Sequence, residues 1–184
     1  MVGQSSRLSA KTGLFSRAGR PRLSAAGPIM EPIAVATGAF LVAGLRTRTT
    51  NRIEAVPEMA KISPLWRKFY ADKVSDQIPF RLPGSDEIVA VYFDYESDYR
   101  GQYSFIVGHK VSSLDNAPEG MGGVIVRGGR YLRFPVEGPM PAALVEAWKA
   151  IWQFFDLSPE YERAYATDFE IHRSDEVEIY VGLK

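Results

Sequence analysis

Short segments in which apolar and polar residues alternate recur along the chain, and two longer segments carry apolar residues at helical spacing. Alternation with a period of two predicts strands, whereas apolar residues three and four positions apart predict amphipathic helices. Strands are predicted at residues 40–48, 87–96, 103–111, 129–138, 167–173 and 176–183, and helices at residues 63–72 and 140–155. Ser63 as N-cap and Pro64 in the first turn mark the start of the first helix.

The order of these elements repeats, because each half of the chain reads strand, helix, strand, strand. The two helices match at Trp66 and Trp152, and an acidic residue directly follows a strand phenylalanine in both halves, at Asp94 and Glu170. A duplicated β-α-β-β unit accounts for both coincidences. The predicted fold class is therefore α+β, with antiparallel hairpins and two halves that share one core.

Residues 1–29 differ from the rest of the chain. They include arginine and lysine but no acidic residue, and they are rich in serine, glycine and alanine. This composition predicts a disordered basic extension, so the folded domain is expected to cover residues 30–184. An organellar transit peptide has a similar composition, and that alternative stays open. The link at residues 112–129 contains a short predicted strand and is interpreted as a connection, not a domain boundary.

Charge and composition narrow the classes of function. Basic and acidic residues number 22 each in the 184-residue chain, so no overall field attracts nucleic acid or an anionic membrane. Cysteine is absent and the two histidines, His109 and His172, lie in separate segments, so we expect neither a metal site nor a cofactor. No apolar run reaches the roughly 18 residues of a membrane span, and a soluble, cytoplasmic protein is predicted.

Several segments, taken in order, resemble one family. They are LVAGLRTRTTN, AVYFDYES, YSFIVGHKV, GGRYLRF, DFE and VEIYVGLK. This series resembles the GyrI-like small-molecule-binding family, the effector-binding domain of AraC-type and MerR-type regulators. The resemblance implies two β-α-β-β modules related by a pseudo-twofold axis, with an aromatic cleft between them and a central glutamate that matches Glu170. The stretch before Glu31 is too short for a helix-turn-helix, so a stand-alone form is expected.

Six residues are the candidates for ligand binding. Phe169 and Ile171 are expected to face the helices, which would turn Glu170 and His172 to the opposite side of the strand. The resemblance and the internal repeat bring the candidates to one cleft, and they are Glu170, Tyr92, Trp148, Tyr180, His172 and Asp94. Trp66 and Trp152 are expected to be core residues, and His109 to lie on the surface of a strand.

The predicted function is binding of lipophilic, cationic small molecules, for drug sensing or sequestration. An unpaired carboxylate among aromatic rings can replace the hydration that a delocalised cation loses on entering an apolar site. No catalytic constellation stands out in the sequence, so an enzyme is not the first expectation. Two alternatives stay open, namely a hydrolase of strained electrophilic molecules that uses the same glutamate, and a protein-interaction module such as a topoisomerase modulator.

Overall fold

The computed structural model describes residues 31–84 and 86–184, so the predicted extension at residues 1–29 lies outside the described residues. In chain order the elements are β1 (Ile33–Thr37), β2 (Phe40–Thr49), α1 (Asn51–Glu54), α2 (Ile62–Ala71), α3 (Val74–Gln77), β3 (Ile88–Phe93), β4 (Tyr103–Val111), β5 (Met121–Val126), β6 (Gly129–Val136), α4 (Ala142–Leu157), β7 (Thr167–His172) and β8 (Val177–Gly182). The predicted α+β class is confirmed.

All eight strands form one antiparallel sheet in the order β1-β6-β8-β7-β3-β4-β2-β5. The predicted modules are β2-α2-β3-β4 and β6-α4-β7-β8, and they meet where β3 pairs with β7. The edge strands are exchanged, because β1 precedes the first module but pairs with β6, while β5 precedes the second module but pairs with β2. Each module therefore supplies an edge strand to the other, which joins the two halves into one domain.

Among the described residues, the core on one face of the sheet is built from strand residues alone. Phe40 on β2 and Phe169 on β7 are separated by two intervening strands, which in a flat sheet would place them about 14 Å apart. Their ring centroids are 5.3 Å apart, so the sheet is strongly curved. Strand residues such as Val42, Val91 and Ile106 fill the concave side, and no helix residue belongs to this cluster.

The other face carries the two long helices, one over each half of the sheet. Phe69 of α2 is buried against β2 and β4, and Ile151 of α4 is buried against β6 and β8. Each helix thus covers the outer strands of its own module, and the central pair β3 and β7 lies between the helices. In the described part of the chain, no helix has the length and apolar character that a membrane crossing requires.

The facing predicted for β7 is wrong. Phe169 and Ile171 belong to the cluster on the strand-only side, so the intervening Glu170 faces the helices. The alternation was correct, but both sides of this curved sheet bury apolar residues, and a buried apolar residue therefore does not mark the helical side.

The N-terminus of α2 is also built differently from the prediction. The helix begins at Ile62, with Lys61 in the N-cap position and no side-chain bond from that residue. The carboxylate of Glu54 accepts hydrogen bonds from the backbone N–H groups of Lys61 and Ile62, at 3.0 and 3.1 Å. A carboxylate from α1 therefore satisfies two of the free donors at this helix end, and Ser63 does not act as the cap.

Candidate functional site

A cavity of about 740 Å³ lies between α2 and α4, above the central strands. Its wall is dominated by aromatic rings from both helices, from β3 and β4 and from the loop between them. These are Trp66, Tyr70, Tyr92, Tyr95, Tyr99, Tyr103, Trp148 and Trp152. All three tryptophans of the protein are in this list. The central cleft that the resemblance implied is therefore present.

Glu170 lies at the floor of the cavity and its side chain is completely buried. Its backbone pairs with Ala90 on β3, which places Tyr92 at the diagonal position, within reach of a long aromatic side chain. The Tyr92 hydroxyl and the Trp148 indole N–H both donate to Oε1, each at 2.7 Å. The carboxylate is thus held by neutral donors from a strand and a helix.

His172 donates to the other carboxylate oxygen. Its Nε2 lies 2.8 Å from Oε2 of Glu170, and the imidazole ring centroid is 4.8 Å from that of Trp66 on α2. Within residues 31–84 and 86–184, no lysine or arginine forms an ion pair with Glu170. Of the three hydrogen-bond donors to Glu170, His172 alone can carry a positive charge.

A second buried carboxylate, Asp168, lies two residues earlier on the same face of β7. Its Oδ2 accepts from Arg163 at 2.5 Å and from the Tyr95 hydroxyl at 2.7 Å, and its Oδ1 accepts from the N–H of Gly182 at 2.9 Å. Burial opposes the charge of Arg163, but the adjacent Asp168 carboxylate raises the pKa of this guanidinium above its ordinary value. Asp168 and Arg163 consequently form a permanent ion pair.

The tyrosines that bond these carboxylates remain protonated. Burial, followed by the negative charge of Glu170, raises the pKa of Tyr92 well above its usual value. Burial and the charge of Asp168 do the same to the pKa of Tyr95. Burial, with smaller effects of Glu54 and Glu170, raises the pKa of Tyr103. At neutral pH these hydroxyls are therefore hydrogen-bond donors, not phenolate bases.

Four of the six predicted site residues come together in the cavity, namely Glu170, Tyr92, Trp148 and His172. Tyr180 does not, because its ring stacks on Phe169 on the strand-only side, with centroids 4.5 Å apart. Asp94 does not either, since β3 ends at Phe93 and the Asp94 side chain is 69% exposed, with an ion pair to Arg48 at 2.7 Å. Which of these residues bind a ligand stays a prediction.

Several cavity residues were not predicted as part of the site. Trp66 and Trp152 were expected in the core, but both line the cavity, where Trp152 stacks on Tyr99 with centroids 5.7 Å apart. Tyr95 and Tyr99 belong to the loop after β3, where no periodic pattern predicts the direction of a side chain. The available signal was composition, because tyrosines recur at every fourth position in residues 95–103, which is unusual for an exposed loop.

The expectation for His109 is also wrong, because this residue is buried. Its Nδ1–H donates to the carbonyl of Glu87 at 2.8 Å, so its Nε2 accepts from the Ser75 hydroxyl at 2.9 Å. Burial, reinforced by the positive charge of Arg81, lowers the pKa of His109. Residues 31–84 and 86–184 contain no group of three or more histidine, aspartate or glutamate side chains arranged to hold a metal ion.

Comparison with known proteins agrees with this architecture. The model of the Cass2 family, described as integron-associated effector binding proteins, matches residues 35–183. The chain belongs to this family. The Cass2 assignment confirms the effector-binding fold that the sequence motifs predicted.

Individual relatives support the Cass2 assignment. The integron cassette protein VCH_CASS2 of Vibrio cholerae is 32% identical, with a TM-score of 0.70 over 83% of this chain and 95% of that chain. YobU of Bacillus subtilis (strain 168), which carries the name of a transcriptional regulator, is 28% identical over 150 residues, 77% of this chain and 91% of its own length. SAV2435, solved with tetraphenylphosphonium bound, has a TM-score of 0.69 at 16% identity, over 84% of this chain and 94% of that chain.

Proposed function

We propose that this protein binds lipophilic organic cations with a delocalised charge in the cavity between α2 and α4. The observation that carries the proposal is the state of Glu170. It is a fully buried carboxylate at the floor of an aromatic cavity, and it has neutral donors but no lysine or arginine partner within the described residues. A buried carboxylate without a counter-ion is costly in the empty protein, and a cationic ligand would supply the missing charge.

The cost of desolvation favours cations that are large and weakly hydrated. A compact ammonium ion loses strong hydration in an apolar cavity, whereas a charge spread over aromatic groups loses less. Tyr92, Trp148 and Trp66 line the cavity and are residue types that form cation–π contacts, and the reduced dielectric of the site strengthens the attraction to Glu170. A volume of about 740 Å³ lies within the range of cavities that enclose drug-sized molecules.

The relatives are consistent with this class of ligand. The Cass2 family is described as effector-binding, and SAV2435 was solved with tetraphenylphosphonium, a lipophilic cation. Because SAV2435 is only 16% identical, it supports the shared fold, and transfer of its ligand class to this chain is part of the proposal.

Intrinsic fluorescence offers a direct test, since all three tryptophans line the cavity. Titration with tetraphenylphosphonium should change the emission of the wild-type protein in a saturable manner. Glu170→Gln should weaken binding by about 1.5–3 kcal/mol, because a contact with a charged group is lost while the shape is kept. Asp94→Asn removes an exposed carboxylate outside the cavity and should bind as the wild type does.

Equal binding of tetraphenylphosphonium by the wild type and Glu170→Gln would contradict the proposal. Isothermal calorimetry on the same three proteins provides the affinity independently of the fluorophores. A protein that binds no lipophilic cation at millimolar concentration would also contradict it.

Hydrolysis in the same cavity is less well supported. Tyr92 and His172 do flank Glu170 at 2.7 and 2.8 Å, which are distances suited to proton transfer. However, Glu170 is fully buried and already accepts hydrogen bonds from Tyr92, Trp148 and His172, so it is less accessible to a substrate than a general base in an open site would be. A turnover assay with electrophilic esters or strained rings would separate the two functions.

A further inference from the structure

The position of His172 bears on the selectivity of the cavity for charged and uncharged ligands. Its imidazole lies between the carboxylate of Glu170 and the indole of Trp66, and its side chain is 17% exposed while that of Glu170 is fully buried. His172 is therefore the more exposed member of the pair, and a charge on its ring would act on a ligand cation in the same cavity.

The hydrogen bond fixes what the two states of His172 do to the cavity. A carboxylate can only accept, so Nε2 of His172 carries a proton whether the ring is neutral or charged. With a neutral ring the Glu170–His172 pair has a net charge of about −1, and with a protonated ring it has a net charge of about zero. Protonation of His172 at Nδ1 therefore keeps the hydrogen bond to Glu170 and changes the electrostatic potential of the cavity.

Other titratable groups around His172 do not change charge over the relevant range. Besides Glu170 and His172, the charged and phenolic residues that line the cavity are Glu54 on α1, Arg67 and Tyr70 on α2, Tyr92 on β3, Tyr95 and Tyr99 in the following loop, Tyr103 on β4, Lys149 on α4 and Arg163 before β7. Lys149 pairs with Glu146 at 2.8 Å, Arg163 pairs with Asp168, and Glu54 accepts the N–H groups at the start of α2. Arginine and lysine remain charged and tyrosine neutral between about pH 5 and 8.

We infer that His172 is a specificity-determining residue whose proton competes with the ligand cation for Glu170. Binding of a cation releases the proton from His172, so charge in the cavity is conserved. When His172 is protonated, the cavity is electroneutral and accepts uncharged lipophilic molecules in preference. The inference rests on the proposed function, because it names the condition under which the cavity takes a cation.

The test compares two probes of similar size, tetraphenylphosphonium and the uncharged triphenylphosphine oxide, from pH 5.5 to 8. For the wild type, the affinity for tetraphenylphosphonium should rise with pH, with a limiting slope of about tenfold per pH unit for one released proton. Calorimetry in buffers of different ionisation enthalpy should detect that proton. Affinity for triphenylphosphine oxide should show a smaller change of the opposite sign.

Two variants separate the charge of His172 from its hydrogen bond. His172→Gln keeps a neutral donor, so the affinity of this variant for tetraphenylphosphonium should not vary with pH. Binding to the variant should release no proton. His172→Lys introduces a fixed cation and should lower the affinity for tetraphenylphosphonium by tenfold or more. The same variant should still bind triphenylphosphine oxide. If the lysine variant does not fold, the pH profiles of the wild type and His172→Gln decide the question.

The outcomes distinguish this inference from the proposed function. Binding of tetraphenylphosphonium by the wild type with no dependence on pH and no proton release would overturn the role of His172 and leave cation binding intact. A pH dependence that persists in His172→Gln would overturn it as well. Failure of the wild type to bind the cation at any pH would overturn the proposed function itself.

Discussion

Two buried carboxylates, Asp168 and Glu170, lie two residues apart on the same face of β7, and neither has any exposed surface. Asp168 is bonded by the guanidinium of Arg163, a tyrosine hydroxyl and a backbone N–H. Glu170 is bonded by a tyrosine hydroxyl, an indole N–H and an imidazole. The number of bonds is the same, but only Asp168 has a partner whose charge is permanent.

This difference separates a carboxylate that stabilises the fold from one that is suited to a ligand. The Asp168–Arg163 pair is balanced in charge, and Arg163 in addition lies over the ring of Tyr165, with its guanidinium carbon 4.5 Å from the centroid. The attraction between Asp168 and Arg163 is therefore already present in the folded protein without a ligand. The carboxylate of Glu170 is held by hydrogen bonds and shielded from water, but no lysine or arginine among the described residues neutralises it. A cationic ligand can therefore gain interaction energy there that the protein does not supply.

The largest expected loss of stability comes from breaking the ion pair of Asp168 and Arg163. Arg163→Met keeps much of the side-chain length but leaves Asp168 as a buried charge without a cation, so the free energy of unfolding should fall by about 3–5 kcal/mol. Urea denaturation monitored by circular dichroism measures the loss.

The matched control for Arg163→Met is Glu170→Gln, which should change stability by less than about 1 kcal/mol, because no fixed cation loses its partner. A loss in Glu170→Gln as large as that in Arg163→Met would contradict the distinction between the two carboxylates.

A smaller effect is expected from a pair of hydroxyl deletions. Tyr92→Phe and Tyr95→Phe each remove one donor at 2.7 Å from a buried carboxylate. Tyr92→Phe should cost about 1.5–3 kcal/mol of unfolding free energy, since a bond to an uncompensated charge is lost. Tyr95→Phe should cost about 0.5–1.5 kcal/mol, because Arg163 and the N–H of Gly182 still hold Asp168.

Thermal and urea unfolding of the two phenylalanine variants give the order directly. A greater loss for Tyr95→Phe than for Tyr92→Phe would mean that Arg163 does not compensate Asp168 in the way its geometry implies.

Much of the fold could be predicted from the sequence because its periodicities are local. Alternation identified β2, β3, β4, β6, β7 and β8, and helical spacing identified α2 and α4. The exchange of β1 and β5 between modules could not be predicted, because alternation within a strand does not identify its partner. No separate strand was predicted before residue 40, whereas the structure places β1 at Ile33–Thr37.

The site was only partly predictable for related reasons. Glu170, Tyr92, Trp148 and His172 were found because the family resemblance supplied the cleft, although the facing of β7 was wrong. Tyr180 pairs with Phe169 in the ladder, so the two side chains share the strand-only side, and this register is a long-range property of the fold.

Asp94 was matched to Glu170 by local sequence, yet β3 ends one residue before it. Residues placed by a loop, such as Tyr95 and Tyr99, have no period from which a facing could be derived.

The smallest expected effect is on the stability of the protein in acid. It separates the contribution of His109 from that of the Glu170–His172 pair. Burial and Arg81 hold the pKa of His109 below the usual 6.5 in the folded state. The unfolded chain therefore binds a proton at His109 before the folded protein does, and stability should fall as the pH drops below about 6.5. His109→Gln keeps one donor and one acceptor in this position and should remove that part of the pH dependence, at a cost of about 1 kcal/mol at neutral pH.

Unfolding free energies measured from pH 8 to 5 in the wild type and His109→Gln provide the difference curve. The pH dependence of stability that remains in His109→Gln is then measured again in the double variant with His172→Gln. Any part that disappears in the double variant is assigned to the Glu170 site. The difference between the wild type and His109→Gln should be nearly constant above about pH 7 and should shrink as the pH is lowered, because protonation of the unfolded state penalises only the protein that retains His109. A difference that grows on acidification would mean that the folded state stabilises the protonated form of His109, which contradicts the direction given by its burial.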